Sequence, residues 1–230
     1  MIQFPYGMAD FRKIVTRGYC YRDRTGAIPF PERAEPRLFI RPRRFGKSLL
    51  PSMLENCYDA ARKDRFDGIF GGPAIGESPT ASRNPCFVLR WDVSCIDPTG
   101  SPEDIRRSLY NHVNGCILNF VRYYRDCGHD PSGVEIDRED ALYTIQFLAG
   151  AVKAAGRPAC LLIDEYDNFA NTVMTTCLAP PLMSGDIGEE PYALKVASSL
   201  IIQNEIEKGK TPAEEVPGGR YKNSHRTVVL

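Results

Sequence analysis

At 230 residues the chain is long enough to bury a full hydrophobic core, and its length favours one domain or one and a fraction. Its 29 basic residues balance 29 acidic ones, so no global field draws it to DNA or to an anionic membrane, and any nucleic-acid contact has to be local. Eight cysteines lie scattered with no C-x-x-C pair and no histidine at zinc-ligand spacing, a pattern of buried free thiols in a reducing compartment.

The N-terminus meets Pro5, Asp10 and Arg12 before any signal-like apolar core. No later run approaches the roughly 18 apolar residues of a membrane span, so a cytoplasmic protein without membrane contact is expected. "ADFRKIVTRG" predicts a short helix stopped by Gly18, followed by a turn-rich stretch with Pro29, Pro31 and Pro36. "RLFI" then reads as a brief strand, "RPRRFGKS" as a basic loop, and "SLLPSMLENCYDAA" as a helix with Pro51 near its first turn. Residues 68–85 have loop composition, and "CFVLRWDVS" returns to a strand pattern. A Ser-Pro-Glu-Asp start predicts a long helix to Asp126, and a second begins near Asp137 and closes at Gly156. "RPACLLIDEYDNF" is a buried strand delivering acids at its C-terminal end. Beyond residue 170 one more helix is expected over 192–208, ahead of a polar, Gly/Pro-rich disordered tail.

Strand, loop, helix is the order a phosphate-binding loop requires, and Gly46, Lys47 and Ser48 are the residues that close one. Backbone N–H groups at the helix start hold phosphate oxygens, the lysine reaches the outer phosphates, and the serine hydroxyl takes Mg²⁺. The complementary acids come over a hundred residues later: Asp164 for the metal shell, Glu165 to polarise an attacking water. Arg41 stands where the loop motif has its first glycine, and Pro42 biases it toward extended geometry, so the turn differs in shape. Arg43 and Arg44 can replace lost backbone contacts with charge, or form a solvated basic turn. The candidate nucleotide-binding set is Arg43, Arg44, Phe45, Gly46, Lys47, Ser48 and Leu49; Ser48 and Asp164 are the candidate metal ligands, and Lys47 and Glu165 the candidate catalytic groups.

The succession "FPYGMADFRKIVTRGYCYRDRT", "LFIRPRRFGKSLLPSML", "FVLRWDVS" and "CLLIDEYDNF" resembles the AAA-ATPase-like proteins, whose variant Walker loop also reads "RPRRFGKS". The resemblance spans about residues 3–169 and implies Lys47 and Ser48 as Walker A residues and Asp164 and Glu165 as Walker B acids. It also implies ATP and Mg²⁺ as ligands, possible oligomerisation, and a nucleic-acid or protein partner. By the same resemblance "YRDRT" lies near the nucleotide, with Asp23 either a contact or, by the simpler reading, a turn cap. The family's sensor strand and C-terminal nuclease-like domain are not recognisable after residue 170.

The expected fold is therefore α/β: a P-loop NTPase-like parallel sheet flanked by helices and incomplete at its C-terminal end. The expected divisions are an N-terminal helix and turn segment at 1–36, an ATPase-like core at 37–176 and a poorly defined remainder at 177–230. Two functions compete: Mg-ATP binding with hydrolysis, and a truncated, non-catalytic P-loop module serving as an interaction domain. A third, a local nucleic-acid binder built on Arg41, Arg43, Arg44 and Lys47, leaves the buried acidic strand unexplained.

Overall fold

The computed structural model describes residues 2–29, 37–38, 46–80, 83–165 and 226–229. Helix α1, Phe11–Thr16, starts where the Asp10 carboxylate accepts the Lys13 N–H, and ends before Gly18, whose φ of 65° suits a residue without Cβ. Strand β1 is Arg37–Leu38 and helix α2 is Leu49–Tyr58. Pro51 is the third residue of α2, inside the first turn, where its missing N–H costs no intrahelical bond.

Part of the segment 68–85, expected to be loop, carries short helices instead. A 3₁₀ stretch at Ala60–Arg65 leads into α3, Phe66–Phe70, and then α4, Ala74–Glu77. Phe66, Ile69, Phe70 and Ile75 are buried there, so apolar anchors override a Gly- and Pro-rich composition. Strand β2, Phe87–Asp92, is followed by α5, Pro102–Asp126, whose start is a full capping box between Ser101 and Asp104 with proline in the first turn. Helix α6 is Ala141–Ala154, capped by Asp140, and β3 is Ala159–Asp164.

The last strand, β4 at Arg226–Val229, corrects the expectation of no core strand after residue 170. It pairs with both β1 and β3, giving the order β1-β4-β3-β2 with every pairing parallel. Four residues preceded by polar sequence are too short to show a strand period. The expected helix at 192–208 lies outside the described residues.

Parity divides the β2–β3 pair into two faces. Phe87, Leu89, Trp91 and Ile163 turn toward α5 and α6, joining Val113, Ile117 and Phe120. Val88, Cys160 and Leu162 turn the other way, against Met53, Leu54 and Tyr58 and the aromatic group of Phe11 and Phe70. The architecture is thus α/β, a parallel sheet covered by helices on both faces. Among the described cysteines, Cys57, Cys86 and Cys160 are buried as expected, whereas Cys20, Cys95 and Cys127 are exposed.

Candidate functional site

Helix α2 begins at the phosphate-loop residues, and its backbone is shaped by one glycine. Gly46 has φ of 82°, a left-handed conformation that a side chain would strain, and its carbonyl accepts the Leu50 N–H at 3.2 Å while that of Lys47 accepts the same N–H at 3.1 Å. Lys47 is only 8% exposed. Ser48 holds the N-cap position, yet its backbone is already right-handed helical, so its hydroxyl makes no capping bond to α2. Leu49 is half-buried against the α2-face cluster. Arg43, Arg44 and Phe45 lie outside the described residues.

Asp164 closes β3 with 1% exposure, and its parity places it on the face that packs against α2. A carboxylate so buried needs partners for both oxygens. Oδ1 accepts the Glu165 N–H at 3.0 Å and Oδ2 accepts Nη2 of Arg90 at 3.0 Å. Glu165 itself has φ of 59°, an unfavourable left-handed conformation for a residue with a Cβ, at the point where the chain leaves the sheet. The described structure therefore places Gly46, Lys47 and Ser48 at the start of the helix that packs on β3, and Asp164 and Glu165 at that strand's end.

A family model, that of the predicted AAA-ATPases, matches residues 5–183, more than half of the chain. The chain belongs to this AAA-ATPase-like family. ATPase-like function in general follows from that membership. No curated protein and no solved structure gives a match.

Within this family member, Arg90 is the residue that sequence reasoning missed. It sits two residues before Asp92 on β2, on the same face as Asp164, and its Nη1 also lies 3.9 Å from Oε2 of Glu55 on α2. Glu55 in turn pairs with Arg62, whose Nε is 3.0 Å from Oδ2 of Asp59. Tyr123 and Tyr124 each donate a hydroxyl to Asp59 at 2.9 Å, and the Tyr124 oxygen accepts the Val88 N–H at 2.6 Å. Carboxylates buried as deeply as Asp59 and Asp164 persist only with such partners. Burial, reinforced by the Asp59 carboxylate, drives the Tyr124 phenol far above its usual range, and burial pushes Tyr123 up to about 12. Burial works against the charge on Arg62, but Glu55, Tyr123 and Asp59 together outweigh it and hold the guanidinium more firmly protonated. The available signal was a lone arginine inside "CFVLRWDVS", since a charge in a buried strand requires a partner.

The "YRDRT" segment reaches the loop through Arg24, whose Nη1 lies 3.9 Å from the position a Cβ on Gly46 would take. Asp23 does not turn to that site. Its Oδ1 accepts the Thr25 N–H at 2.8 Å and its Oδ2 the Ala74 N–H at 2.7 Å, clasping the segment to the start of α4. The turn-cap reading of Asp23 is the one this geometry matches. Asp167 lies outside the described residues.

Proposed function

We propose that the chain binds Mg-ATP at the start of α2 and hydrolyses it, in a P-loop NTPase-like fold. The observation that carries this reading is the hydroxyl of Ser48. A serine at a helix N-cap ordinarily spends its hydroxyl on the helix, and this one does not, which suits a metal-binding role shared with the buried carboxylate of Asp164. The donor set, a hydroxyl and a carboxylate, is the hard-oxygen pair that Mg²⁺ prefers when most of its shell is water and phosphate. The sheet order supports the same reading, because β4 lies between β1, which leads to the loop, and β3, which ends in the acids.

In this function Gly46 lets the backbone N–H groups of the α2 start approach the phosphates, and the helix dipole favours their charge. Lys47 neutralises the outer phosphates, with Arg43, Arg44, Phe45 and Leu49 completing the cradle. Glu165 orients the attacking water and accepts its proton, its constrained backbone holding the carboxylate at the strand's end. Bound Mg²⁺ would supply charge neutralisation for the transferred phosphoryl group. Arg90 must yield its hold on Asp164 Oδ2, and Glu55, 3.9 Å from the same guanidinium, is placed to keep it.

A second reading, a non-catalytic module serving as an interaction domain, draws on that same Arg90 contact, because a guanidinium already occupies the metal acid. One experiment separates the two. A fluorescent ATP analogue is titrated with Mg²⁺ into the wild type, Lys47→Ala and Glu165→Gln, and phosphate release is followed in parallel. Saturable binding lost in Lys47→Ala, with turnover lost in Glu165→Gln, is the expected result. Binding without turnover in the wild type selects the module, and a folded wild type that binds nothing overturns both nucleotide roles.

A further inference from the structure

A cavity of about 410 Å³ opens beside α2, one to two turns along the helix from Ser48. Its volume falls in the range of small-molecule sites. Four arginines line it: Arg12 of α1, Arg62 and Arg65 of the 3₁₀ stretch, and Arg90 of β2. Only two acids, Asp10 and Glu55, share that wall, and Asp10 is already spent on capping α1 and pairing with Lys13 at 3.3 Å.

The hydrogen-bond inventory of the wall is one-sided. Each acceptor near the cavity is engaged from within the protein: Asn56 Oδ1 by Arg62 at 3.1 Å, Ser52 Oγ by the Phe11 N–H at 2.9 Å, and Glu55 by Arg62 and Arg90. The donors are in surplus. Arg12 and Arg65 have neither a side-chain hydrogen bond nor an ion pair among the described residues, and the Ser52 hydroxyl keeps its proton to give. A wall that has used its acceptors and retains guanidinium forks recognises an acceptor-only anion, and planar forks match phosphate oxygens two at a time.

We propose that this cavity is a binding site for a small phosphate-bearing anion, distinct from the loop at the start of α2. Arg65 and Arg12 supply the free forks, Arg62 a fixed one and Arg90 one that can turn, while Tyr123 closes one side. Arg90 touches both this cavity and Asp164, so an occupant draws the guanidinium away from the acid that closes β3; that last link rests on the nucleotide reading, the cavity itself does not.

The test uses the full chain carrying Lys47→Ala, which removes the loop lysine, titrated calorimetrically with inorganic pyrophosphate in Mg²⁺-free buffer. Arg12 and Arg65 are exposed and make no side-chain hydrogen bond or ion pair among the described residues, so Arg12→Ala and Arg65→Ala in the same background retain the fold, checked by circular dichroism. Expected are one site per chain and an affinity loss of about tenfold in each cavity variant, with little change in Arg106→Ala on the exposed side of α5. Absence of binding in the folded protein, or an equal loss in Arg106→Ala, overturns the proposal. So does displacement of pyrophosphate by oligothymidylate with an affinity that grows with strand length, which assigns the surface to nucleic acid. Pyrophosphate binding here with no ATP-analogue binding in the wild type would refute the nucleotide reading and leave this site standing.

Discussion

On the α5–α6 side of the β2–β3 pair the inward residues are apolar, and the buried polar groups, Asn114 and Thr144, are neutral and bonded to the Asp137 backbone. On the α1–α2 side Asp164 is buried at the end of β3, and Lys47 and Asp59, just before and just after α2, are buried as well. Apolar burial stabilises without regard to direction, whereas each buried charge costs solvation that only its own partners offset. The first face therefore holds the sheet together, and the second stores arranged charge next to the candidate site. Substitutions on the two faces should differ in kind as well as in size.

The largest effect is expected from Phe87→Ala, which empties a site packed edge-on against Phe120 and Tyr124. A loss of about 3–5 kcal/mol in urea unfolding is expected, with the ATP-analogue affinity of the surviving folded protein unchanged; a large affinity change would erase the division between faces. Arg90→Ala acts on the other face, stripping Asp164 of its guanidinium. Removing one partner of a fully buried pair costs about 3–5 kcal/mol, but Arg90 keeps 35% of its side chain exposed, so about 2 kcal/mol is expected after screening. Millimolar Mg²⁺ should restore part of that stability in Arg90→Ala and none in Arg90→Ala with Asp164→Asn. If Mg²⁺ restores nothing, Asp164 is not a metal ligand.

Tyr124→Phe is expected to cost about 1.5 kcal/mol by depriving Asp59 of a donor and Val88 of an acceptor. Its signature is the alkaline limb. A phenol whose folded pKa is raised contributes stability fully present below the unfolded value of about 10 and lost as pH rises past it. Stability of the wild type should thus fall above about pH 10, and the fall should be shallower in Tyr124→Phe.

Local signals announced local structure. Ser-Pro-Glu-Asp foretold the cap of α5, the alternation of "FVLRWD" foretold β2, and Gly46, Lys47 and Ser48 foretold the start of α2. Asp164 was legible because an acid after four apolar residues ends a buried strand. Pairings set by register were not legible. Arg90 meets Asp164 only because β2 and β3 align Asp92 with Asp164, and that offset of 72 positions is written in no short window. The Asp59 cluster likewise depends on α5 bringing Tyr123 and Tyr124 across a separation of more than 60 residues. Strand β4 escaped for a different reason: its four residues carry too little pattern, and their place in the sheet comes from neighbours on either side.

The smallest expected effect belongs to Asp23, and it asks whether the segment beside the loop is held or is itself a contact. Burial works against the Asp23 charge, but the Ala74 and Thr25 N–H groups outweigh it and hold the carboxyl below its usual range. A depressed folded pKa means that the contribution is present above about pH 4 and is lost as pH falls further. Asp23→Ala should therefore lower stability by about 1 kcal/mol at neutral pH, as loss of a helix-start cap does, and should flatten part of the acid limb. Because Arg24 follows immediately and approaches Gly46, the same variant reads the site. An ATP-analogue affinity within about twofold of wild type, less than the half kilocalorie of an ordinary contact, leaves Asp23 as a clasp that merely supports Arg24. A loss of about tenfold, the size expected for a bond to a charged ligand, would place its carboxylate in the nucleotide site after all, with the two backbone bonds as the arrangement it leaves on binding.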